Sequence, residues 1–262
     1  MSTMQSSSDK RKRRLLPHIE MTRTSLKLYG CATMLFYTIS TSLIQQGLIH
    51  VGRYSGEELG AALSASPQLM IMSGWAVIFQ LIGGLAVPVF AFLLVEGFLY
   101  TRSFARYLLT MLGFAVFSEL PYDLATSGRW IDWTNQNPLL TLSLCLIMLY
   151  GLRFFVDKKG VAPRLAQGCI VLAAALWSML LRCGFGLCTV LLAAVYYLLY
   201  DQKGVKTLLG CAVSLMYVTG PLSAYALWSY GGEKGKDINK YWFYAFYPAH
   251  LLLLGLLARA IA

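Results

Sequence analysis

Long stretches without charged residues constrain this chain more than any other feature of its sequence. A helix needs about 20 apolar residues to cross roughly 30 Å of hydrocarbon. Only 13% of the 262 residues are charged, about half the share found in soluble domains, so lipid must solvate much of the surface. We therefore predict an all-α, polytopic transmembrane helical bundle. Its eight predicted spans are residues 26–48, 69–100, 104–121, 138–155, 166–182, 185–200, 207–229 and 241–260.

The second predicted span is too long for a simple crossing, and Gly83, Gly84 and Pro88 interrupt it. Residues 69–100 therefore form either a tilted, kinked helix or a re-entrant half-helix over 69–82 followed by a span. Broken helices are tolerated at membrane depth only where protein or a cavity satisfies the freed backbone groups. We count the segment as one net crossing, because two would scramble the charge pattern of every later loop.

Basic residues concentrate in alternate loops. One side receives Arg102 and Arg106, a cluster at 153–164, and Lys203 and Lys206, whereas the opposite loops mix both signs. The positive-inside rule then predicts an integral plasma (inner) membrane protein with both termini cytoplasmic. Residues 1–24 form a basic cytoplasmic tail, and 25–262 form the transmembrane domain. The net charge of +10 therefore indicates contact with membrane lipids and no nucleic-acid partner.

The six cysteines lie in or beside apolar segments and form no CxxC pair. Zinc and dithiol redox sites usually require such pairs. Small apolar packing residues are the simpler interpretation, and a bridge from Cys183 is left open. We predict no metal site.

Carboxylates at membrane depth are costly and usually face a partner or a cavity. Glu96 lies near the inner end of the second span, where it either pairs with Arg102 or, with Thr101, binds substrate. Glu119 and Asp123 flank Pro121, at which we expect the third span to stop or bend. These two carboxylates are either solvated at the outer boundary or line the mouth of a pocket.

Three further positions are candidates for a site. Asn137 precedes a proline and suits a helix N-cap. Arg182 lies in a short outer turn, where it either anchors at the interface or pairs with Glu119 or Asp123. His250 follows an aromatic run that ends in Tyr247 and Pro248, which places it near mid-membrane. There it is either a structural group or a general base.

Several segments together resemble the TraX conjugal-transfer family. They are 88–98 (PVFAFLLVEGF), 100–102 (YTR), 118–124 (SELPYDL) and 246–251 (FYPAHL), with the spacing from Lys27 to Met34. The resemblance extends from about residue 25 to 258. It implies membrane-bound transfer of an acetyl or acyl group from acetyl-CoA to an amine or hydroxyl acceptor, either a peptide or a small molecule. The family's namesake N-acetylates pilin.

The chain also departs from that family at three ionisable places. Tyr37 and Thr38 stand where the family usually has an Asp-His pair, and Gly84 stands where it has an arginine. A late Asp-Tyr-Gly turn is replaced around 182–184. Removing one member of a buried ionic cluster leaves an unpaired charge, whereas removing all members can be neutral. We infer that one mutually paired cluster was lost and that this is a divergent family member.

The resemblance implies roles for the remaining residues. His250 is the best remaining base, oriented by Glu119 or Asp123, and Arg102 and Arg106 face the coenzyme A phosphates. The predicted substrate-binding residues are Glu96, Thr101, Asn137, Tyr247 and Arg182.

Two other functions remain open from the sequence. The first is a catalytically degenerate membrane component that binds a lipid, a small molecule or a partner protein. The second, a small transporter, depends only on Glu96 and the break between Gly83 and Pro88.

Overall fold

A computed structural model gives the fold of residues 20–236 and 238–262. Most of the predicted basic tail, 1–24, lies outside the described residues. The described chain is helical and contains no strand, which confirms the all-α class. The helices are α1 (Arg23–Thr38, continued by a π-helix over Ile39–Ile49), α2 (Gly56–Ala65), α3 (Pro67–Gly84), α4 (Ala86–Tyr100), α5 (Phe104–Ser127), α6 (Pro138–Arg153), α7 (Val161–Leu180), α8 (Gly186–Leu198), α9 (Lys203–Ser214), α10 (Ser223–Trp228) and α11 (Lys240–Ile261).

Four helical segments of the described chain are long and apolar enough to cross a membrane. They are Pro67–Tyr100, Phe104–Ser127, Val161–Leu180 and Tyr241–Ile261. Two shorter helices, Pro138–Arg153 and Gly186–Leu198, are also apolar. The chain is therefore an integral membrane protein, whereas the expected number of eight spans is not confirmed.

The long second segment is a broken helix, as its glycines predicted. α3 ends at Gly84 and α4 begins at Ala86, with Leu85 between them. The hydroxyl of Thr219 donates to the carbonyl of Leu81 in the last turn of α3. A protein side chain thus satisfies a backbone group near the break, as membrane depth requires.

The predicted span at 207–229 is not a single helix. α9 ends at Ser214, two 3₁₀ turns follow at Leu215–Tyr217 and Gly220–Leu222, and α10 returns. The ends of this segment meet, since the Lys203 ammonium lies 4.8 Å from the ring centroid of Trp228. A side chain at Gly220 would come within 2.5 Å of the Ser214 carbonyl oxygen, so the turn requires glycine. We call residues 203–228 the re-entrant hairpin.

α11 runs parallel to α1 and its π-helical continuation. Near their starts, the Lys27 ammonium lies 5.1 Å from the Phe243 ring centroid. Near their ends, a side chain at Gly47 would come within 3.2 Å of the Ala258 Cα atom. We call the end of the bundle that holds Arg23 the N-face and the end that holds Ile261 the C-face. The described chain thus ends at the C-face, and the expectation of both termini on one side is not confirmed.

The residues just before the predicted boundary at residue 25, which stays a prediction, contact the rest of the bundle. Met21 N donates to Ser229 O at 2.9 Å, and Arg23 N donates to Glu233 O at 2.8 Å. Residues from Met21 onward are therefore joined to the segment that follows the re-entrant hairpin, at the N-face.

The core lies where α4, α6 and α8 pack together. Val89, Leu146, Leu149, Val190 and Leu192 are all fully buried there. Lipid is as apolar as these side chains, so association depends on close packing between helices more than on exclusion of water. This rigid core holds two polar clusters, one toward each face.

Candidate functional site

The first polar cluster lies in the C-face half of the bundle, and Asn137 is its centre. Asn137 is fully buried and caps α6, since its Oδ1 accepts from Leu139 N at 2.9 Å and from Leu140 N at 3.3 Å. Its Nδ2 donates to Ala115 O at 2.8 Å and also to Glu119 Oε2. The predicted N-cap role is confirmed, and the same side chain ties α6 to α5.

The helix does not stop at Pro121: α5 continues to Ser127 with Pro121 inside it, which leaves a bend as the remaining expectation. The extra turns carry Asp123 into a buried position, where it is only 3% exposed. Asp123 Oδ2 accepts from Asp132 N at 2.8 Å. The backbone N–H of the loop after α5 thus occupies one oxygen of the Asp123 carboxyl group.

The loop that returns from α5 to α6 is held by a second carboxylate. Asp132 Oδ1 accepts from Thr134 N at 3.0 Å. The hydrogen bond from the Thr134 backbone has the largest effect on the pKa of Asp132 and lowers it, and the Thr134 side chain lowers it further. Asp132 is therefore ionised at neutral pH and acts as a turn former.

Several buried polar atoms of the C-face half have no hydrogen-bond partner among the described residues. They include Glu119 Oε1, Asp123 Oδ1 and the Tyr247 hydroxyl. Tyr247 is 8% exposed and interacts electrostatically with Glu119 and Tyr122. Buried polar groups are normally paired, so these atoms leave hydrogen-bonding capacity for water or a ligand. We call Glu119, Tyr122, Asp123, Asn137 and Tyr247 the C-face cluster.

His250 lies beside this cluster on α11, one turn after Phe246. Its Nδ1 lies 2.7 Å from Phe246 O, and its Nε2 lies 3.2 Å from the Thr38 hydroxyl. A carbonyl oxygen can only accept, so Nδ1 carries the proton and Nε2 of the neutral ring is the acceptor in its contact with the Thr38 hydroxyl. The ring centroids of His250 and Tyr247 are 5.8 Å apart.

The predicted partners of His250 do not bond to it. Among the described residues, neither Glu119 nor Asp123 forms a hydrogen bond with the imidazole; Thr38 and Phe246 do. The role of His250 as a base therefore stays a prediction. Thr38, which sequence reasoning treated only as a lost family position, is its side-chain neighbour.

Tyr37, where the chain departs from the family, meets the immediate neighbours of two other departing positions, Gly84 and residues 182–184. Tyr37 packs so closely on Gly83 that a methyl group at Gly83 would overlap it. The Tyr37 ring also contacts the Phe185 ring edge-on at a centroid distance of 5.1 Å, and Phe185 contacts Tyr217 of the re-entrant hairpin at 5.2 Å. Packed aromatic rings thus occupy the region for which the resemblance implies ionisable groups.

The turn around Arg182 is fixed by its backbone. Gln136 N donates to Arg182 O at 2.9 Å, and Gly184 N donates to Gln136 O at 2.8 Å. The Arg182 side chain is exposed, and among the described residues it forms no ion pair with Glu119 or Asp123. Of the two predicted roles, the pairing with those carboxylates is therefore wrong.

The second polar cluster lies at the N-face around Glu96. Glu96 is 3% exposed, and its Oε2 accepts from Arg23 Nη2 at 3.0 Å and from the Tyr230 hydroxyl at 3.0 Å. The Tyr200 hydroxyl donates to the other oxygen, Oε1. The predicted ion pair with Arg102 is wrong, because Arg23 takes that place. We call Arg23, Glu96, Tyr200 and Tyr230 the N-face cluster.

The other residues predicted for the N-face are peripheral. Arg102 and Arg106 are exposed, and the Thr101 hydroxyl donates to Ser103 O at 3.4 Å. Their proposed contacts with coenzyme A or substrate stay predictions. Within the described residues, no group of three or more His, Cys, Asp or Glu side chains could hold a metal ion.

Comparison with known proteins adds a family and one relative. A sequence model described as "TraX protein" matches residues 66–258. The "Probable fimbrial assembly protein FimC, serogroup H1" of Dichelobacter nodosus is 28% identical over 206 residues, which cover 67% of this chain and 80% of that protein. No solved structure matches the chain.

Proposed function

The chain belongs to the TraX family, and from that premise we propose that it transfers an acetyl group from acetyl-CoA to an amine or hydroxyl acceptor within the membrane. The carrying observation is the pair formed by His250 and Tyr247 on α11. One ring has a basic nitrogen, Nε2, which contacts the Thr38 hydroxyl, and the other has a buried hydroxyl without a partner among the described residues.

The two side chains match the needs of acyl transfer. The acceptor nitrogen attacks the thioester carbonyl, the C–N bond forms and its proton passes to His250 Nε2. The Tyr247 hydroxyl donates to the developing oxyanion, as a buried donor without a ground-state partner does best. The C–S bond then breaks, and the thiolate takes the proton back from His250. Glu119 binds the acceptor through Oε1, which has no hydrogen-bond partner among the described residues, whereas the side chain of Asn137 is already bonded to protein groups.

We further propose on which side of the membrane each face of the bundle lies. On the positive-inside rule, the N-face is cytoplasmic, because Arg102 and Lys158 lie between helices there and Lys203 and Lys206 lie in the first turn of α9. The re-entrant hairpin does not cross, so we expect seven crossings and Ala262 on the opposite side. The coenzyme then arrives from the cytoplasm, where Arg102 and Arg106 meet its phosphates. The acceptor reaches the C-face cluster from the other side.

A fimbrial or pilus subunit is the acceptor class we favour. The resemblance implies pilin acetylation for the family's namesake, and the relative above is named as a fimbrial assembly protein. An acceptor that arrives on the C-face side fits a subunit exported across the membrane.

The function is tested on purified protein in detergent. Acetyl-CoA should raise its thermal stability, and a peptide amine should become acetylated, as followed by mass spectrometry. His250→Ala and Tyr247→Phe should each lower the transfer rate at least tenfold, whereas His50→Ala should leave it unchanged. His50 is the matched control, because its Nδ1 also lies 3.1 Å from a carbonyl oxygen, that of Gln46. Full transfer by His250→Ala would refute the proposed base.

A second candidate is a binding component without catalysis. The packing of Tyr37 on Gly83 and Phe185 favours it, since aromatic side chains fill the region in which the family's ionisable groups are expected. No stabilisation by acetyl-CoA and no transfer by the unaltered protein would put this candidate ahead.

The topology is tested with reporter fusions. A reporter after Lys236 should be cytoplasmic and one after Ala262 should be external. Eight crossings with both termini cytoplasmic give the reverse result at both positions.

A further inference from the structure

A cavity lies under the re-entrant hairpin, at the N-face. Its volume is about 250 Å³. The end of α4, the end of α8 and both arms of the hairpin enclose it, and its wall includes Phe92, Glu96, Tyr200, Lys203 and Lys206. We call it the hairpin cavity. It is separate from the C-face cluster, and the proposed acetyl transfer makes no use of its lysines.

The one carboxylate in the wall is already neutralised. Glu96 accepts from Arg23, Tyr230 and Tyr200, so both of its oxygens are engaged. Arg23 supplies the compensating charge at 3.0 Å. Glu96 therefore does not balance the lysines of the cavity by direct contact.

The two lysines retain most of their donors. Lys206 Nζ donates to Tyr200 O at 2.9 Å and lies 4.6 Å from the Tyr200 ring centroid, which fixes a half-buried ammonium group in the wall. Lys203 Nζ lies over Trp228 and forms no hydrogen bond among the described residues. An ammonium group has three N–H donors, so one of the six is used.

No carboxylate offsets these charges at contact distance. Within the described residues, neither lysine forms an ion pair within 4.0 Å, and Glu96 and the exposed Asp201 act on Lys206 only at longer range. α9 also begins at Lys203, with no acidic side chain in its first turn and no side-chain cap from Gln202. The dipole of this 12-residue helix adds to the preference for an anion.

We propose that the hairpin cavity binds a phosphate group through Lys203 and Lys206. A phosphate offers more acceptor oxygens than a carboxylate, which suits five unused N–H donors and a helix N-terminus. The aromatic walls, from Phe92, Tyr196 and Tyr200, suit the apolar part of an ester. The group comes either from the headgroup of an anionic phospholipid or from a soluble phosphate compound.

The experiment separates the two sources. In the first arm, delipidated protein in detergent is titrated with inorganic phosphate, against chloride at equal ionic strength, and its thermal stability is followed. In the second arm, the protein is reconstituted with phosphatidylglycerol and phosphatidylcholine, and native mass spectrometry measures retained phosphatidylglycerol. Saturable stabilisation in the first arm supports a soluble source, and selective retention in the second supports a lipid.

The variants test the site itself. Lys203→Gln with Lys206→Gln should weaken binding at least tenfold, and Lys206→Arg should keep most of it. Lys158→Gln with Lys159→Gln is the matched control, because it removes the same charge from exposed lysines and should change nothing. His250→Ala should bind as the unaltered protein does, so loss of acetyl transfer and loss of this site are distinguishable.

Two results would overturn the proposal. One is equal binding by the Lys203, Lys206 double variant and the unaltered protein. The other is no response to phosphate beyond that to chloride, together with no retained phosphatidylglycerol.

Discussion

Replacing Arg23 by alanine should destabilise the protein far more than replacing Arg102. Arg23 pairs with Glu96 at 3.0 Å, and Glu96 is 3% exposed whereas the Arg23 side chain is 27% exposed. Breaking a fully buried pair costs about 3–5 kcal/mol, because the remaining charge is left uncompensated. Since Arg23 keeps some contact with solvent, we expect about 2–3 kcal/mol. At about 1.4 kcal/mol per factor of ten, this is roughly a 30- to 150-fold change in the unfolding equilibrium.

The assay is reversible unfolding in mixed detergent micelles, followed by helix content. Arg102→Ala is the control, since Arg102 is exposed and is the partner that the sequence alone suggested for Glu96. Glu96→Gln combined with Arg23→Ala should cost less than the sum of the single changes, with a coupling free energy of about 1–2 kcal/mol. Equal destabilisation by Arg23→Ala and Arg102→Ala would refute the assignment of the pair.

Two further substitutions test the packing and the C-face cluster. Gly83→Ala should lower the free energy of unfolding by about 1–3 kcal/mol, because the added methyl group overlaps Tyr37. The control is Gly74→Ala, in the same helix with open space around it, which should be neutral or slightly stabilising in the same unfolding assay. Asn137→Ala should cost about 2–3 kcal/mol, because it removes a helix cap and a buried hydrogen bond to Glu119. Asn135→Ala, at an exposed position in the same loop, should change stability by less than about 0.5 kcal/mol, and a comparable loss there would contradict the central role of Asn137.

Apolar length predicted most of the helices and failed at one. Residues 138–155, 166–182 and 185–200 were predicted within a few residues, because a helix is the simplest way to satisfy backbone groups in lipid. The segment 207–229 has the same apolar character, yet it folds back at Gly220 and Pro221. That dipeptide is a turn signal in the sequence, which the count of apolar residues does not weigh.

Loop charge gave no sign that residues 207–229 fold back, for an identifiable reason. Residues 233–240 carry Glu233, Lys234, Lys236, Asp237 and Lys240, which nearly cancel. A nearly neutral loop is compatible with either side of the membrane, so the positive-inside rule could not decide between seven and eight crossings.

Local and distant contacts also differed in how far they could be predicted. The cap by Asn137 depends on residues two and three positions away, and the sequence predicted it. The partner of Glu96 is 73 positions away in the chain. Arg102, only six positions along, was the natural choice from sequence, but α4 ends at Tyr100 and the backbone turns before Arg102 is reached.

The N-face cluster and the C-face cluster differ in how many of their buried polar atoms have hydrogen-bond partners. Both oxygens of Glu96 are bonded to protein donors, so this carboxylate joins helices and has little capacity left for a ligand. Glu119 and Asp123 each keep one buried oxygen without a partner among the described residues, and Tyr247 keeps its hydroxyl. Such atoms are costly unless water or a substrate pairs with them. Substitutions in the two clusters should therefore have different effects. Changes at Glu96 should mainly reduce stability, because they remove hydrogen bonds between helices. Tyr247→Phe removes only a hydroxyl without a partner among the described residues, so it should leave stability nearly intact and reduce acetyl transfer.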